Sequence, residues 1–221
     1  MWLFSGIGYN MFTIELLDSI GTIKQKVNQA CADHLNQSLS QGVGSKLIRR
    51  FSTIANGWIA SQPEILSLNT AAPGTLMAQF GLTPGQASIA TAQILQQIEK
   101  SISVKVRKFD KNLRGGISVY FQPSDFQNIL SLDSGHVRYA KGDLHWLDWL
   151  IRLGDTIIVT DYEYEADTGK GRSGLGSMKK GGTFRVPPEF SGTLQNNFIT
   201  RALIGKQQED MIAKIFKEVL S

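Results

Sequence analysis

The sequence predicts an α+β fold, with long N-terminal helices and a C-terminal helix packed on a small, mostly antiparallel β-sheet that carries a long extended hairpin loop. Three observations point to it. Apolar residues recur at three- and four-residue steps through residues 13–101, the period switches to two at Ile102, and a helical period returns after Pro187-Pro188. The reading is a single domain, 1–221: an arm over 1–12, a helical part over 13–101, a β part over 102–187 with a loop at 168–182, and a terminal helix over 193–221.

Residues 13–39 place Ile20, Ile23, Val27, Ala30 or Cys31, His34 or Leu35, and Leu39 on one helical stripe. Gly42 and Gly44 break that helix. A second follows over 46–61, with Leu47, Ile48, Phe51, Ile54 and Trp58 on one side, and stops before Pro63. Residues 63–81 read as a helix-loop passage. Thr83-Pro84 supplies an N-cap and a proline at the first helical position, opening a helix that runs to about Ser101. Ile102, Val104 and Val106 then alternate with Ser103, Lys105 and Arg107, and Ile117, Val119 and Phe121 alternate again after DKNLRGG, so 102–121 is a β-hairpin. Residues 124–132 have the composition of a short helix. Residues 142–155 suit a two-turn helix or a buried extended segment. TIIVTDYEYE (156–165) is a strand, and Thr183 to Val186 resumes as its partner after a loop of about 15 residues, a length that is functional or disordered.

The chain of 221 residues is long enough to bury a core without staples, and its single cysteine excludes an internal disulfide. No Cys/His cluster has zinc spacing. Hydrophobic residues make up 42% of the chain, with no apolar run of about 18, so no membrane-spanning helix is expected. Residues 1–12 are apolar but lack a basic flank and a small-residue cleavage site. They read as a packing arm, or as an upstream start with Met11 the alternative initiator.

The charge is 23 Lys+Arg against 19 Asp+Glu. Residues 166–186 hold Lys170, Arg172, Lys179, Lys180 and Arg185 against Asp167 alone, a local excess of +4, which leaves 18 of each sign elsewhere. This glycine-rich stretch lacks G-x-x-x-x-G-K-[ST] and G-x-G-x-x-G, and it leads into a strand, so a nucleotide-phosphate cradle is excluded. Two readings stay open. Spaced cations without a stacking aromatic can grip phosphate backbone non-specifically or dock an acidic partner, and a solvated hairpin tip can carry the same residues.

Other constellations have plain structural readings. Cys31 and His34 share a helix face by their i,i+3 spacing, which is a core position more often than a nucleophilic pair. His136 and His145, with Asp133, Asp143 and Asp148, lack a fixed ligand motif and suit hydrogen-bonded roles better than a metal. Asp161, Glu163 and Glu165 read as the polar face of a strand. Trp146 and Trp149, with Trp58, suit core packing or an interface.

The stretches 142–164 and 171–203, with the closing helix to Leu220, run strand, glycine-rich basic hairpin, proline turn, then Asn197-Phe198-Ile199-Thr200-Arg201-Ala202-Leu203 opening a terminal helix. This order resembles the tail-completion and neck proteins of tailed bacteriophages. In those proteins a long N-terminal helix packs over a β-sheet and a P-F-[LI]-x-x-A-like segment opens the last helix. Asn197 stands where they have proline, and 46–101 is an insertion relative to their smaller members. The resemblance implies a virion protein assembled in the host cytoplasm, not an enzyme, without cofactor, metal or membrane. It implies a homo-oligomeric ring, often hexameric, that contacts portal or adaptor, tail tube or sheath, and the DNA backbone in the channel. Lys170, Arg172, Lys179, Lys180 and Arg185 then form the partner-contact or DNA-contact loop. Trp146, Trp149, Phe198 and Arg201 are interface candidates, with the first helix as a further apolar patch.

Overall fold

In a computed structural model that describes residues 15–40, 42–139 and 142–220, the chain opens with two helices, α1 (Ile20–Ser40) and α2 (Val43–Ala60). Gly42 separates them with φ 73°, a left-handed conformation that glycine adopts freely, while Gly44 lies inside the first turn of α2. The passage after Pro63 holds two short helices, α3 (Pro63–Asn69) and α4 (Leu76–Gln79). Helix α5 (Pro84–Ser101) starts where the sequence places it: Thr83 and Gln86 form a reciprocal capping box around Pro84. The arm at 1–12 and Met11 lie outside the described residues.

Strands β1 (Ser103–Arg107) and β2 (Gly116–Tyr120) form the expected hairpin. Helix α6 (Gln127–Leu130) and a 3₁₀ turn at Asp133–Gly135 follow, then a short antiparallel pair, β3 (Val137–Tyr139) and β4 (Gly142–Leu144), and helix α7 (Trp146–Ile151). Strands β5 (Ile157–Ala166) and β6 (Gly176–Arg185) pair antiparallel. The predicted terminal helix is divided into α8 (Phe198–Leu203) and α9 (Lys206–Leu220), because Gly205 takes φ 151° between them. The class is α+β, with the strands distributed over three separate two-stranded ribbons. None of the described helices is long and apolar enough to cross a membrane.

Apolar side chains form two clusters. The larger gathers Ile59, Met77, Phe80, Ile94, Ile98, Trp146, Leu150, Val186 and Phe198 from α2 through α8. The smaller seats Leu47 and Phe51 of α2 against Ile215 of α9, with Val104, Ile117 and Val119 of the β1–β2 hairpin packed on it. Phe51 makes edge-on contacts with Phe121 and Phe216, each at a centroid distance of 5.5 Å. Helix α2 spans both clusters, so the β1–β2 hairpin and the α7–α8 region are held on one frame.

Segment 187–197 fastens the β6 end to α8. Gly192 N donates to Trp149 O at 2.9 Å, and Gly154 N donates to Gly192 O at 2.8 Å. A Cβ on Gly192 would meet Leu150 O at 1.9 Å, so only glycine allows this approach. Asn197, fully buried, donates through Nδ2 to Thr193 O at 2.9 Å and Ile151 O at 3.4 Å, while its Oδ1 caps α8 by accepting from Ile199 N and Thr200 N.

That cap places Arg201 over Glu64 of α3. Arg201 donates to Glu64 Oε1 and, at 2.9 Å, to Asn196 Oδ1, while Glu64 Oε2 is buried without a hydrogen-bond partner. Burial holds the Glu64 carboxyl above its ordinary range, outweighing its own backbone N–H and the Arg201 charge, which pull the other way. The unfolded chain releases this proton at lower pH than the folded one, so this group makes stability fall as pH rises through the window above the ordinary carboxylate value. Replacing Arg201 with alanine leaves a buried charge unpaired. We expect Arg201→Ala to lose about 2–4 kcal/mol in denaturant unfolding at about pH 7, and clearly less at about pH 4, where Glu64 takes up its proton. A loss independent of pH would contradict this.

Candidate partner-contact surfaces

The β5–β6 hairpin is a bowed ribbon fixed to the body at both ends. At its base Phe184 and Val186 are buried. Its loop is residues 167–175, shorter than the expected 168–182, because Gly176 to Lys180 pair with β5 and the strand continues past Gly181 and Gly182. Between the ends the ribbon bends where Asp161, φ 64°, faces Gly181 and Gly182, both with positive φ, at a break in register between Thr160 and Tyr162. Residues 178–183 are exposed along this outer bend.

The loop folds back instead of reaching outward. Tyr164 Oη donates to Leu175 O at 3.3 Å and accepts from Gly74 N at 3.4 Å, and Arg172 Nη1 donates to Arg138 O at 2.9 Å. The glycines serve this packing: a Cβ on Gly171 would meet Gly176 O at 2.2 Å, and one on Gly176 would meet Tyr164 Oη at 2.3 Å. Between ribbon and body lies a hollow of about 270 Å³ lined by Phe80, Val137, Leu144, Val159, Met178 and Phe184.

The five cations assigned to this loop are divided by the fold. Lys179 and Lys180 lie in β6, opposite Glu163 and Tyr162 of β5. Lys179 pairs with Glu165 at 3.7 Å and Arg185 with Asp155 at 3.0 Å, and Arg172 is taken by a carbonyl. Asp161, Glu163, Glu165 and Asp167 therefore stand against the five cations within one hairpin, and the local excess of the linear count shrinks to +1. Lys170 and Lys180 keep exposed ammonium groups without an ion pair among the described residues.

The interface candidates at the other end of the fold are corrected in part. Trp146 and Phe198 are fully buried in the larger core, Trp149 is half-buried against it, and Arg201 is taken by Glu64. Trp146 Nε1 donates to Ser134 O at 3.1 Å, fixing the indole inside. Trp146 and Phe198 therefore offer no docking surface, while Trp149 and Arg201 stay partly exposed.

The first helix offers such a surface. Helix α1 turns Ala32, half-buried Asn36 and Leu39 toward the body, Leu39 packing on the smaller cluster, while the rest of the stripe read as its core face is largely open to solvent: Ile20 is 79% exposed, Val27 54% and Leu35 39%, with Ile23 half-buried. Leu16 and Leu17 precede it, 73% and 102% exposed. Cys31 and His34 are exposed beside this stripe and not in a core. A second apolar hollow, lined by Phe121, Phe126, Leu194, Ile199, Leu203 and Ile204, opens at the start of α8 and its end; Ile204 is 72% exposed.

The histidines and aspartates grouped in the sequence do meet. His136 and His145 stack with ring centroids 4.0 Å apart and planes 9° from parallel. His136 Nδ1 lies 2.8 Å from Asp143 Oδ2 and His145 Nδ1 lies 3.1 Å from Asp148 Oδ2, while Arg152 grips Asp148 with two hydrogen bonds at 2.8 and 2.9 Å. Burial lowers the His145 pKa, outweighing the Asp148 charge. Among the described residues no three His, Cys, Asp or Glu side chains are placed to hold a metal. Asp133 opens the 3₁₀ turn, and its carbonyl accepts from His136 N at 3.1 Å.

No family model, no characterised protein and no solved structure matches the chain.

The docked loop is open to test. A hydrogen bond from a charged donor contributes about 1.5 kcal/mol, so Arg172→Ala should raise the open fraction about tenfold. Tryptic cleavage after Lys170 should accelerate by that factor, with the melting temperature little changed. Equal cleavage rates in the two proteins would show that Arg172 does not hold the loop.

Proposed function

We propose that the protein is a structural subunit of the bacteriophage head–tail junction, a neck, collar or tail-completion ring component that joins portal or adaptor to tail tube or sheath. The observation that carries this reading is the apolar stripe of α1 with the two leucines before it, of which Leu16, Leu17, Ile20, Val27 and Leu35 are left exposed by the described residues. Burying one such side chain is worth about 1.5–3 kcal/mol, so Leu16, Leu17, Ile20, Val27 and Leu35 together supply enough to drive association. A ring of identical subunits needs two different patches, one on each side. The α1 stripe is one, and the hollow around Leu194 and Ile204 is the other. The bowed β5–β6 ribbon, with its exposed bend and closed ends, suits contact with the next ring. The order of features in 142–220 supports the same assignment through its resemblance to phage neck proteins. On this reading the protein works in the virion by shape and multivalent contact.

Size-exclusion chromatography with light scattering tests it. The unaltered protein should elute as a closed oligomer, and the double variant Ile20→Asp/Val27→Asp should elute as a monomer with an unchanged circular dichroism spectrum, because both side chains are exposed in the single chain. A monomeric unaltered protein, or a variant that assembles equally well, would contradict the reading.

A further inference from the structure

The β1–β2 hairpin carries a more unbalanced charge than β5–β6, where a count confined to the glycine-rich stretch misses it. Residues 103–120 hold Lys105, Arg107, Lys108, Lys111 and Arg114 against Asp110 alone. All five cations are exposed, and none forms an ion pair among the described residues. In the β5–β6 hairpin the strand opposite supplies carboxylates; here the strand opposite is Gly-Ile-Ser-Val-Tyr and supplies none.

The single acid is committed to the turn. Asp110 Oδ1 accepts from Asn112 N at 2.8 Å and Arg114 N at 2.9 Å, and Leu113 takes φ 58° inside the same turn. The Arg114 N–H, with Asn112 N–H and the charges of Arg114 and Arg107, holds this carboxyl below its ordinary range. Helix α1 then fixes the tip: Asn36 donates through Nδ2 to Phe109 O at 2.9 Å and accepts from Phe109 N at Oδ1 at 2.8 Å, as a neighbouring strand would. A Cβ on Gly115 would strike Phe109 at 2.6 Å, so the turn closes only with glycine there. The cations thus stand on a preorganised support.

The register pairs Ser103 with Tyr120, Lys105 with Ser118 and Arg107 with Gly116 on one face. The other face carries Val104, Ile117 and Val119 into the core of α2 and α9. The outward face is therefore small residues, two cations and one ring, with three more cations at the tip. Tyr120 is 51% exposed, and Lys105 Nζ lies 5.2 Å from its ring centroid. A docking site for an acidic protein centres on an apolar anchor inside a rim of charge. The strand face of Ser103, Lys105, Arg107, Gly116, Ser118 and Tyr120 has no aliphatic side chain; the exposed aliphatics of the hairpin, Val106 on the reverse face and Leu113 in the turn, are single and apart. The outward face has the components of phosphate-backbone contact: spaced cations, close approach over Gly116 and Ser118, and a flat ring for a base.

We propose that the β1–β2 hairpin binds the phosphodiester backbone of nucleic acid without reading sequence, through Lys105, Arg107, Lys108, Lys111 and Arg114, with Tyr120 stacking on an unpaired base. The proposal stands on this hairpin alone and does not depend on the ring assignment.

Fluorescence anisotropy with a labelled duplex, and with the same strand unpaired, tests it on the full chain over a range of salt. Contact with four to five phosphates gives a slope of log affinity against log salt of about −4 on duplex. Replacing the five cations with glutamine should weaken binding about tenfold or more at low salt and flatten the slope. As these side chains are solvated, the melting temperature should hold; the smaller variant Lys111→Glu/Arg114→Glu provides the same readout if it does not. The variant Lys170→Ala/Lys179→Ala/Lys180→Ala should bind as the unaltered protein does, and Tyr120→Ala should weaken binding to the single strand only. Binding unaffected by loss of the five cations, or lost instead with the β6 lysines, would overturn the proposal. So would binding of polyglutamate in place of either nucleic acid, which would assign the hairpin to an acidic protein. An unweakened single-strand affinity in Tyr120→Ala would remove the ring from the site.

Discussion

Everything on the C-terminal side of the molecule depends on the close backbone contact between segment 187–197 and α7. Two hydrogen bonds through Gly192, at 2.9 and 2.8 Å, lay one chain directly against the other, and the buried Asn197 completes the contact while capping α8. This fixes where β6 leaves the core, and so where the bowed ribbon starts. It also fixes the first turn of α8, and so places Arg201 over a carboxylate that would otherwise be buried unpaired. The aromatic residues around this contact are consumed by it, which explains why Trp146 and Phe198 have no surface role in the folded chain.

What is left for function is therefore on the periphery: the solvent face of α1, the outer bend of β5–β6, the hollow at Ile204 and the basic tip of β1–β2. The two hairpins divide the electrostatics. In β5–β6, acids and bases face each other across ten-residue strands and largely cancel. In β1–β2 the acid is absorbed by the turn and the bases remain. A chain with balanced charge over most of its length still presents one strongly positive surface, because charge balance in sequence is not balance in space.

Local signals in the sequence carried far. The capping pair Thr83-Gln86, the proline at 84 and the change of period at Ile102 each act within a few residues, and the α5 helix and β1–β2 hairpin follow from them. Other features were decided by partners far along the chain. Gly176 to Gly182 has a composition that disfavours strands, and it joins β6 only because Gly176 to Lys180 pair with β5 and Gly176 rests on Tyr164. The apolar period of α1 identified an amphipathic helix correctly but not which side the described residues cover: Asn36 faces inward with Leu39 to hold Phe109 and the smaller core, and Ile20, Val27 and Leu35 are left outside. Asn197, met in the sequence as a departure from proline, is a cap whose role depends on Thr193 and Ile151 being brought to it. The five cations of 105–114 were countable from the start; that they lack partners required the register of β2.

The central claim is that the α1 stripe is a subunit contact. Cys31, the only cysteine, is exposed one helical turn from both Val27 and Leu35. The rate at which a thiol reagent modifies Cys31 in the unaltered protein, measured across concentrations that span assembly, reports the state of this face directly. The account expects rapid modification in the dilute monomer and strong protection in the oligomer. A modification rate that stays the same while the protein assembles would show that some other face makes the contact.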